Sequence, residues 1–273
     1  MEMDYGRGLH VQAGRPVDVA AYEGYIGRWS RLFVPAVLSA AEVARGDRVL
    51  DLAVGPGEAA RMAMPIVAPP GCVIGIDIAP PMLEAARTRL SGSAFHAIAA
   101  DGQALPFVDG SFDAVVCQLG LQFFPDPARG LQECQRVLRK DRCAAVCVIG
   151  SPDRAPMWGI LASTLSRYLP TQRDALFLSF ALADPDRLAR LLWMAGFRDV
   201  AIKRETRQGI VESFDTYWAD VEAGVGMLPQ AYRALSETNR LLVREEVQTR
   251  LAEFQSGGKL VLSVEMLIGA GRA

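Results

Sequence analysis

The chain has 273 residues, enough to bury a sizeable core as one domain or as one domain with an elaborated lid. With 51% hydrophobic and 22% charged residues its composition is globular, and no apolar run nears the roughly 18 residues that suggest a membrane span. Lys and Arg total 29 against 31 for Asp and Glu, and no stretch concentrates positive charge, so nucleic acid is not expected as a partner.

The first residues, MEMDYGRGLHVQAGR, lack a basic region, an apolar stretch and a small-residue cleavage site, so secretion is not expected and a cytoplasmic location is. Tyr22, Tyr25, Trp29 and Phe33 fall near helical spacing, and residues 1–45 read as a helical segment ahead of the first strand. Short apolar runs at 48–54, 72–76, 94–99, 112–119 and 143–149 are too short for buried helices and read as buried strands. Between them lie helical stretches. The clearest opens at Asp126-Pro127, an N-cap followed by proline, and puts Leu131, Cys134 and Leu138 on one face. Five cysteines, Cys72, Cys117, Cys134, Cys143 and Cys147, sit mostly inside apolar runs without C-x-x-C spacing and read as reduced core residues.

Strands alternating with helices predict an α/β, doubly wound, mostly parallel sheet over 46–150, with ligands bound beyond the strands' C-terminal ends. After that the pattern changes. Residues 151–183, with an aromatic, apolar stretch at 156–181, read as a helical cap insertion. The core resumes at 184–273: Asp184-Pro185 opens a helix with Leu188, Leu191 and Leu192 inward and Gly196 as its stop, and a strand follows near 199–203. A second helical lid at about 213–255 precedes a final strand near 259–268, which makes seven strands.

VLDLAVGPGEAA, at 49–60, is a strand ending in a glycine turn that enters a helix. Gly55 and Gly57 suit a backbone that turns sharply and admits a ligand closely, with helix N-terminal amides beneath it. By spacing alone this serves a nicotinamide dinucleotide as well as other nucleosides. Asp77 ends the next strand, VIGID, 20 residues after Gly57, where a carboxylate can accept hydrogen bonds from two ribose hydroxyls or cap a helix.

The third and fourth strands bring AADGQALPF, at 99–107, and SFDAVVCQLGLQFFPD, at 111–126. With these the chain resembles class I S-adenosylmethionine-dependent methyltransferases, in the small-molecule branch that includes ubiquinone and menaquinone biosynthesis enzymes. The resemblance covers roughly residues 22–150, then 184–200 more weakly, and implies a Rossmann-like sheet. It implies that Asp51 lies beside the methionine portion of the cofactor, with Ala53, Gly55 and Gly57 against it. It further implies that Asp77 holds the ribose, that Ile78 and Met82 flank the adenine, and that Asp101, Gly102 and Gln103 meet the adenine amino group. Gln118 and Leu119 are expected to line the methionine side. YIGRWSR, at 25–31, is similar to a segment of glycine-type N-methyltransferases whose arginine binds the cofactor carboxylate, which makes Arg31, with Tyr25 and Trp29, further cofactor-binding candidates. Two departures stand out: Ala53 replaces the family's usual glycine, and Pro65 is expected to shorten or kink the helix after the turn.

The implied chemistry is displacement at a sulfonium methyl group, yielding S-adenosylhomocysteine. Orientation in a dry pocket can supply roughly 7–11 kcal/mol of such a barrier, so a side-chain base is optional. Tyr22, Tyr25 and Glu23 are the catalytic candidates; His96, at the far end of its strand, and His10 read as incidental. No His, Cys, Asp and Glu cluster has metal-ligand spacing, so no metal is expected. The segment 118–121 also lacks the N/D-P-P-aromatic motif of nucleic-acid amino-methyltransferases. Aromatics including Trp29, Trp158, Phe177, Tyr217 and Trp218 in the N-terminal segment, the cap and the lid, with Phe124 after the fourth strand, suit a small aromatic or hydrophobic methyl acceptor. An exposed aromatic lid face would serve equally as a homodimer contact. Two other readings stay open: a non-catalytic S-adenosylmethionine-binding sensor, and a nicotinamide-dependent oxidoreductase, for which no Tyr-x-x-x-Lys constellation is found.

Overall fold

A computed structural model describes residues 18–90 and 94–273; His10 lies outside them. Five apolar runs form parallel strands: β1 (Arg48–Leu52), β2 (Cys72–Asp77), β3 (Phe95–Ala99), β4 (Phe112–Gln118) and β5 (Leu138–Ile149). All but β3 are buried on both faces over most of their length, as continuous apolar runs require. β3 is the edge, and its residues are half-buried or exposed. Three strands follow among the described residues: β6 (Arg198–Val211), the two-residue β7 (Gln255–Ser256) and β8 (Lys259–Arg272). The sheet runs β3-β2-β1-β4-β5-β8-β6, with β7 pairing only with β8. The expected seven strands are this path, and β7 is a short hairpin arm folded back at Gly257-Gly258. β8 is antiparallel to both β5 and β6.

The order reverses between β1 and β4. The crevice at their C-terminal ends is therefore the place where an open α/β sheet binds ligands.

Helices cover both faces. The N-terminal run comprises α1 (Val19–Tyr22), a π-helical turn Glu23–Gly27, α2 (Arg28–Ser30) and α3 (Val34–Ala40), and Asp18 caps its start by accepting from the Ala21 amide at 3.0 Å. Then come α4 (Glu58–Val67), α5 (Pro80–Arg89), α6 (Pro127–Val137), α7 (Pro156–Tyr168), α8 (Arg173–Leu176) and α9 (Pro185–Met194). The lid holds α10 (Phe214–Ala223), α11 (Met227–Arg233) and α12 (Glu237–Leu251). Strand alternation builds two cores: Val49, Val73, Ala114 and Val116 pack under α3, α4 and the lid, whereas Leu50, Ile74, Val115 and Val146 pack under α6 and α9.

Three local expectations resolve at atomic detail. The Asp126 side chain caps α6 by accepting from the Arg129 amide at 3.0 Å, but the helix stops at Val137 and Leu138 opens β5. Asp184 caps α9 through the Asp186 amide at 2.9 Å; Leu188 and Leu192 are buried and Leu191 only half so. α4 is short, and continues only two residues past Pro65. The missing proline donor leaves the Arg61 carbonyl without its i+4 partner, on an exposed face where water can take its place. The cap and the lid meet where the Tyr217 hydroxyl donates to the Met157 carbonyl at 2.7 Å.

Candidate cofactor site

Asp51, one residue before the end of β1, is 1% exposed, and neither carboxylate oxygen has a hydrogen-bond partner among the described residues. Burial pushes its pKa up to about 7, and the nearby Asp77 charge adds to the rise. The Ala60 amide in the first turn of α4 offsets part of it without reaching hydrogen-bond geometry. Ala53, Gly55 and Gly57 all take left-handed backbone conformations, with φ of 58°, 53° and 88°. A side chain on Gly57 would begin 2.8 Å from a Leu90 methyl, so the turn can pack on the chain after α5 only as glycine. A β-carbon on Gly55 would have one neighbour within 4 Å, the Tyr22 hydroxyl at 3.8 Å, so this side of the turn is little occupied.

Asp77 ends β2 and reaches back. Its Oδ2 accepts from the Gly55 amide and its Oδ1 from the Ala79 amide, both at 2.9 Å. Burial raises its pKa, and the Ala79, Gly55 and Ile78 amides, of which only the first two are within hydrogen-bond geometry, counter that. Each oxygen keeps a second lone pair. Ile78 is half-buried, and Met82 is buried on α5. After β3, Asp101 accepts from the Gln103 amide at 2.8 Å, and Gln103 in turn accepts from the Asp126 amide at 2.8 Å. Gly102 lies under Phe124, whose ring is 2.5 Å from where a β-carbon would stand.

At the end of β4, Gln118 donates from Nε2 to the Ser30 carbonyl and hydroxyl oxygens, both at 3.2 Å, and its Oε1 is buried without a partner. Leu119 beside it is left-handed, with φ 57°. The N-terminal run thus crosses the strand ends, bringing Tyr22 to Gly55 and Ser30 to Gln118. Trp29 goes further, onto Gly209 of β6, where a β-carbon would meet its ring at 2.4 Å. The Tyr25 hydroxyl is buried and has no partner among the described residues. Burial raises the pKa of the Tyr22 and Tyr25 hydroxyls, and at Tyr22 the carboxylates of Asp77, Glu23 and Glu58 add to it.

Arg31 stands apart. Its guanidinium pairs with Glu23, donates to the Gly27 carbonyl at 3.2 Å and is 43% exposed. Glu23 also pairs with Arg89 at 2.8 Å. Arg89 bridges to Glu58 at 2.8 Å and to the Pro56 carbonyl at 3.4 Å, pinning the N-terminal run to the glycine turn. Sequence reasoning missed Ser30, Glu58, Arg89 and Gln122: Arg89 lies outside the motifs, and the other three lie within them at positions to which the motifs assign no role. Among the described residues no three His, Cys, Asp or Glu side chains could hold a metal ion, and no helix is long and apolar enough to cross a membrane.

Comparison with known proteins agrees with this geometry. Residues 50–145 match the family described as methyltransferase domain. Demethylmenaquinone methyltransferase of Thermus thermophilus is 37% identical over 183 residues, covering 62% of this chain and 81% of that protein. Its counterpart from Beutenbergia cavernae is 33% identical over 188 residues, covering 64% and 76%. A solved Bacillus halodurans structure superposes with a TM-score of 0.57 at 18% identity, over 88% of this chain and 97% of that one. Phosphoethanolamine N-methyltransferase 2 of Haemonchus contortus, solved with S-adenosylhomocysteine, gives 0.55 at 16% identity, over 89% and 52%; both show the shared fold.

The chain belongs to the class I S-adenosylmethionine-dependent methyltransferases. Within that class it is of the ubiquinone/menaquinone-biosynthesis type, an enzyme that methylates a small molecule and takes S-adenosylmethionine as its cofactor. The residues present fit that group. A buried carboxylate and a buried amide oxygen, both lacking donors among the described residues, suit an ammonium-bearing tail, and the little-occupied side of Gly55 suits a ligand lying against the turn.

Proposed function

We propose that the methyl acceptor is a flat, hydrophobic, quinol-like molecule, activated by its own ionisable hydroxyl. The observation that carries this is the buried aromatic cluster of the lid. Phe214 stacks on Trp218 at 5.6 Å, Trp218 meets Tyr232 edge-on at 5.0 Å, and Tyr25, with its unpaired hydroxyl, packs against Gly224 beside them. Such walls suit a planar ring with one polar contact. The naming of relatives as demethylmenaquinone methyltransferases supports the same reading.

In this reading Asp51 and the Gln118 oxygen accept from the cofactor's ammonium, and Leu119 lines the same side. Asp77 offers its remaining lone pairs to the ribose hydroxyls. Ile78 and Met82 flank the adenine, whose amino group meets Asp101, Gly102 and Gln103. Ala53, Gly55 and Gly57 admit the ligand closely, Tyr25 and Trp29 cover it, and Arg31 binds its carboxylate by exchanging Glu23 for it. S-adenosylmethionine, when bound, supplies a methyl group activated by its sulfonium charge. The protein's own work is to orient the acceptor and exclude water. Tyr22 and Tyr25 hold their protons, because burial disfavours their anions, so they hydrogen-bond the acceptor's oxygen rather than take a proton from it. His96 lies away from these strand ends, exposed on β3 opposite Ile74. The five cysteines are free, which supports a reducing, cytoplasmic location.

The test is transfer of a labelled methyl group to reduced naphthoquinols, with amines and nucleic acid as controls. Label should enter the quinol alone. Label confined to an amine would replace the acceptor class, and label in no substrate or extract would favour the sensor reading.

A further inference from the structure

Gln122 follows β4 in a single turn of 3-10 helix, Leu121–Phe123, and is 2% exposed. Its Nε2 donates to the Leu119 carbonyl at 3.1 Å, whereas its Oε1 has no partner among the described residues. Leu119 is the residue that needs holding. A leucine in the left-handed region sets its β-carbon against its own backbone, and such conformations persist only where the surroundings over-determine them. Both polar groups of Leu119 are fixed: its amide donates to the Cys147 carbonyl at 2.9 Å on one side, and its carbonyl accepts from Gln122 on the other. The next residue, Gly120, packs so closely on Ala53 that a β-carbon would begin 2.4 Å from the alanine methyl. The exits of β1 and β4 therefore nest together at the cofactor crevice.

We propose that Gln122 is a positioning residue for methyl transfer: its amide locks Leu119 in the left-handed conformation and thereby sets the Gln118–Leu119 edge against which the methionine end of the cofactor lies. The assignment rests on the cofactor reading above. A glutamine serving stability alone would have both ends of its amide satisfied, since a buried acceptor without a donor weakens the fold. Gln122 has only one end engaged, and that end grips the strained residue at the site.

The experiment is a double-mutant comparison. Gln122→Leu removes the donor and keeps the bulk; Gln122→Met removes it and keeps the unbranched shape. Each is made in the natural chain and in a Leu119→Gly background, where the left-handed conformation no longer needs a clamp. Calorimetry reads affinity for S-adenosylmethionine and S-adenosylhomocysteine, steady-state kinetics read kcat and cofactor KM, and thermal unfolding checks that each variant is folded. Either Gln122 substitution should weaken cofactor affinity at least tenfold and raise its KM in the natural chain, and should cost less than threefold in the Leu119→Gly background. Equal losses in the two backgrounds, or no loss in either, would sink the proposal alone. Failure of the unaltered chain to bind S-adenosylmethionine would sink it together with the cofactor reading.

Discussion

The Asp77 carboxylate accepts a hydrogen bond from the Gly55 amide at 2.9 Å, so the acid that ends β2 is tied to the turn that ends β1. One side chain shapes the turn and, in the proposed reading, also faces the ribose. Asp77→Ala should lower S-adenosylmethionine affinity by about 1–3 kcal/mol, through the lost ligand contacts and the slackened turn. Calorimetry checks it, and unchanged affinity would remove Asp77 from the site.

Asp51 ties cofactor binding and stability to pH with opposite signs. Its folded pKa of about 7 lies above the 3.8 of an exposed aspartate, so its stabilising contribution is complete below about pH 4 and is lost as pH rises through 7. Asp51→Asn should therefore raise the melting temperature at pH 8 and leave it nearly unchanged near pH 4, with a gain at pH 8 of at most about 4 kcal/mol. Cofactor affinity should behave conversely. It should rise with pH through about 7 in the unaltered chain as the carboxylate ionises, and it should be weak and flat in Asp51→Asn. A pH series of calorimetric titrations and melting curves reads both.

Ala53 is strained, and Gly120 accommodates its methyl group. Ala53→Gly relieves a left-handed alanine at a smaller entropic cost in the unfolded chain, and should stabilise the protein by about 0.5–1 kcal/mol. Gly120→Ala drives one methyl into another and should cost about 1–3 kcal/mol. Most of that loss should vanish in the double variant, because the obstructing atom is gone. Denaturant titrations of the four proteins check the coupling, and additive effects would show that the two residues do not meet.

Arg89 anchors the N-terminal run to the glycine turn through Glu23 and Glu58. Arg89→Met should destabilise by about 1–2 kcal/mol, a value discounted for the partial exposure of the pairs. Amide exchange should speed up over residues 19–30 before it does in the sheet. Molar salt should mimic part of the effect in the unaltered chain and little of it in the variant. Equal exchange at 19–30 in the two proteins would deny the anchor.

Much of the site was legible because its signals are local. The turn from Asp51 to Gly57 and the acid Asp77 announce themselves by residue type at the ends of apolar runs, and Asp126-Pro127 and Asp184-Pro185 mark helix starts through capping chemistry that needs no partner elsewhere. What stayed hidden depends on distant pairings. Ser30 meets Gln118 across 88 residues, and Arg89 meets Glu23 across 66. Nothing near Gly209 says that it seats Trp29. Gln122 looked like one more residue of an apolar turn, since only the backbone angle of Leu119 gives its amide a purpose. Arg31, chosen by its motif, is held by Glu23 because an opposite charge one helical face away is the partner nearest to hand.

The antiparallel β8 lies between β5 and β6, although among the described residues it is the last strand in chain order. During synthesis the five parallel strands of the nucleoside-binding half can assemble as they emerge. β6 must wait without its only neighbour in the sheet while the three lid helices are made, and it gains that neighbour when residues 259–272 insert beside it. The five-stranded parallel half can thus mature first, and the half that carries the lid helices is sealed by β8.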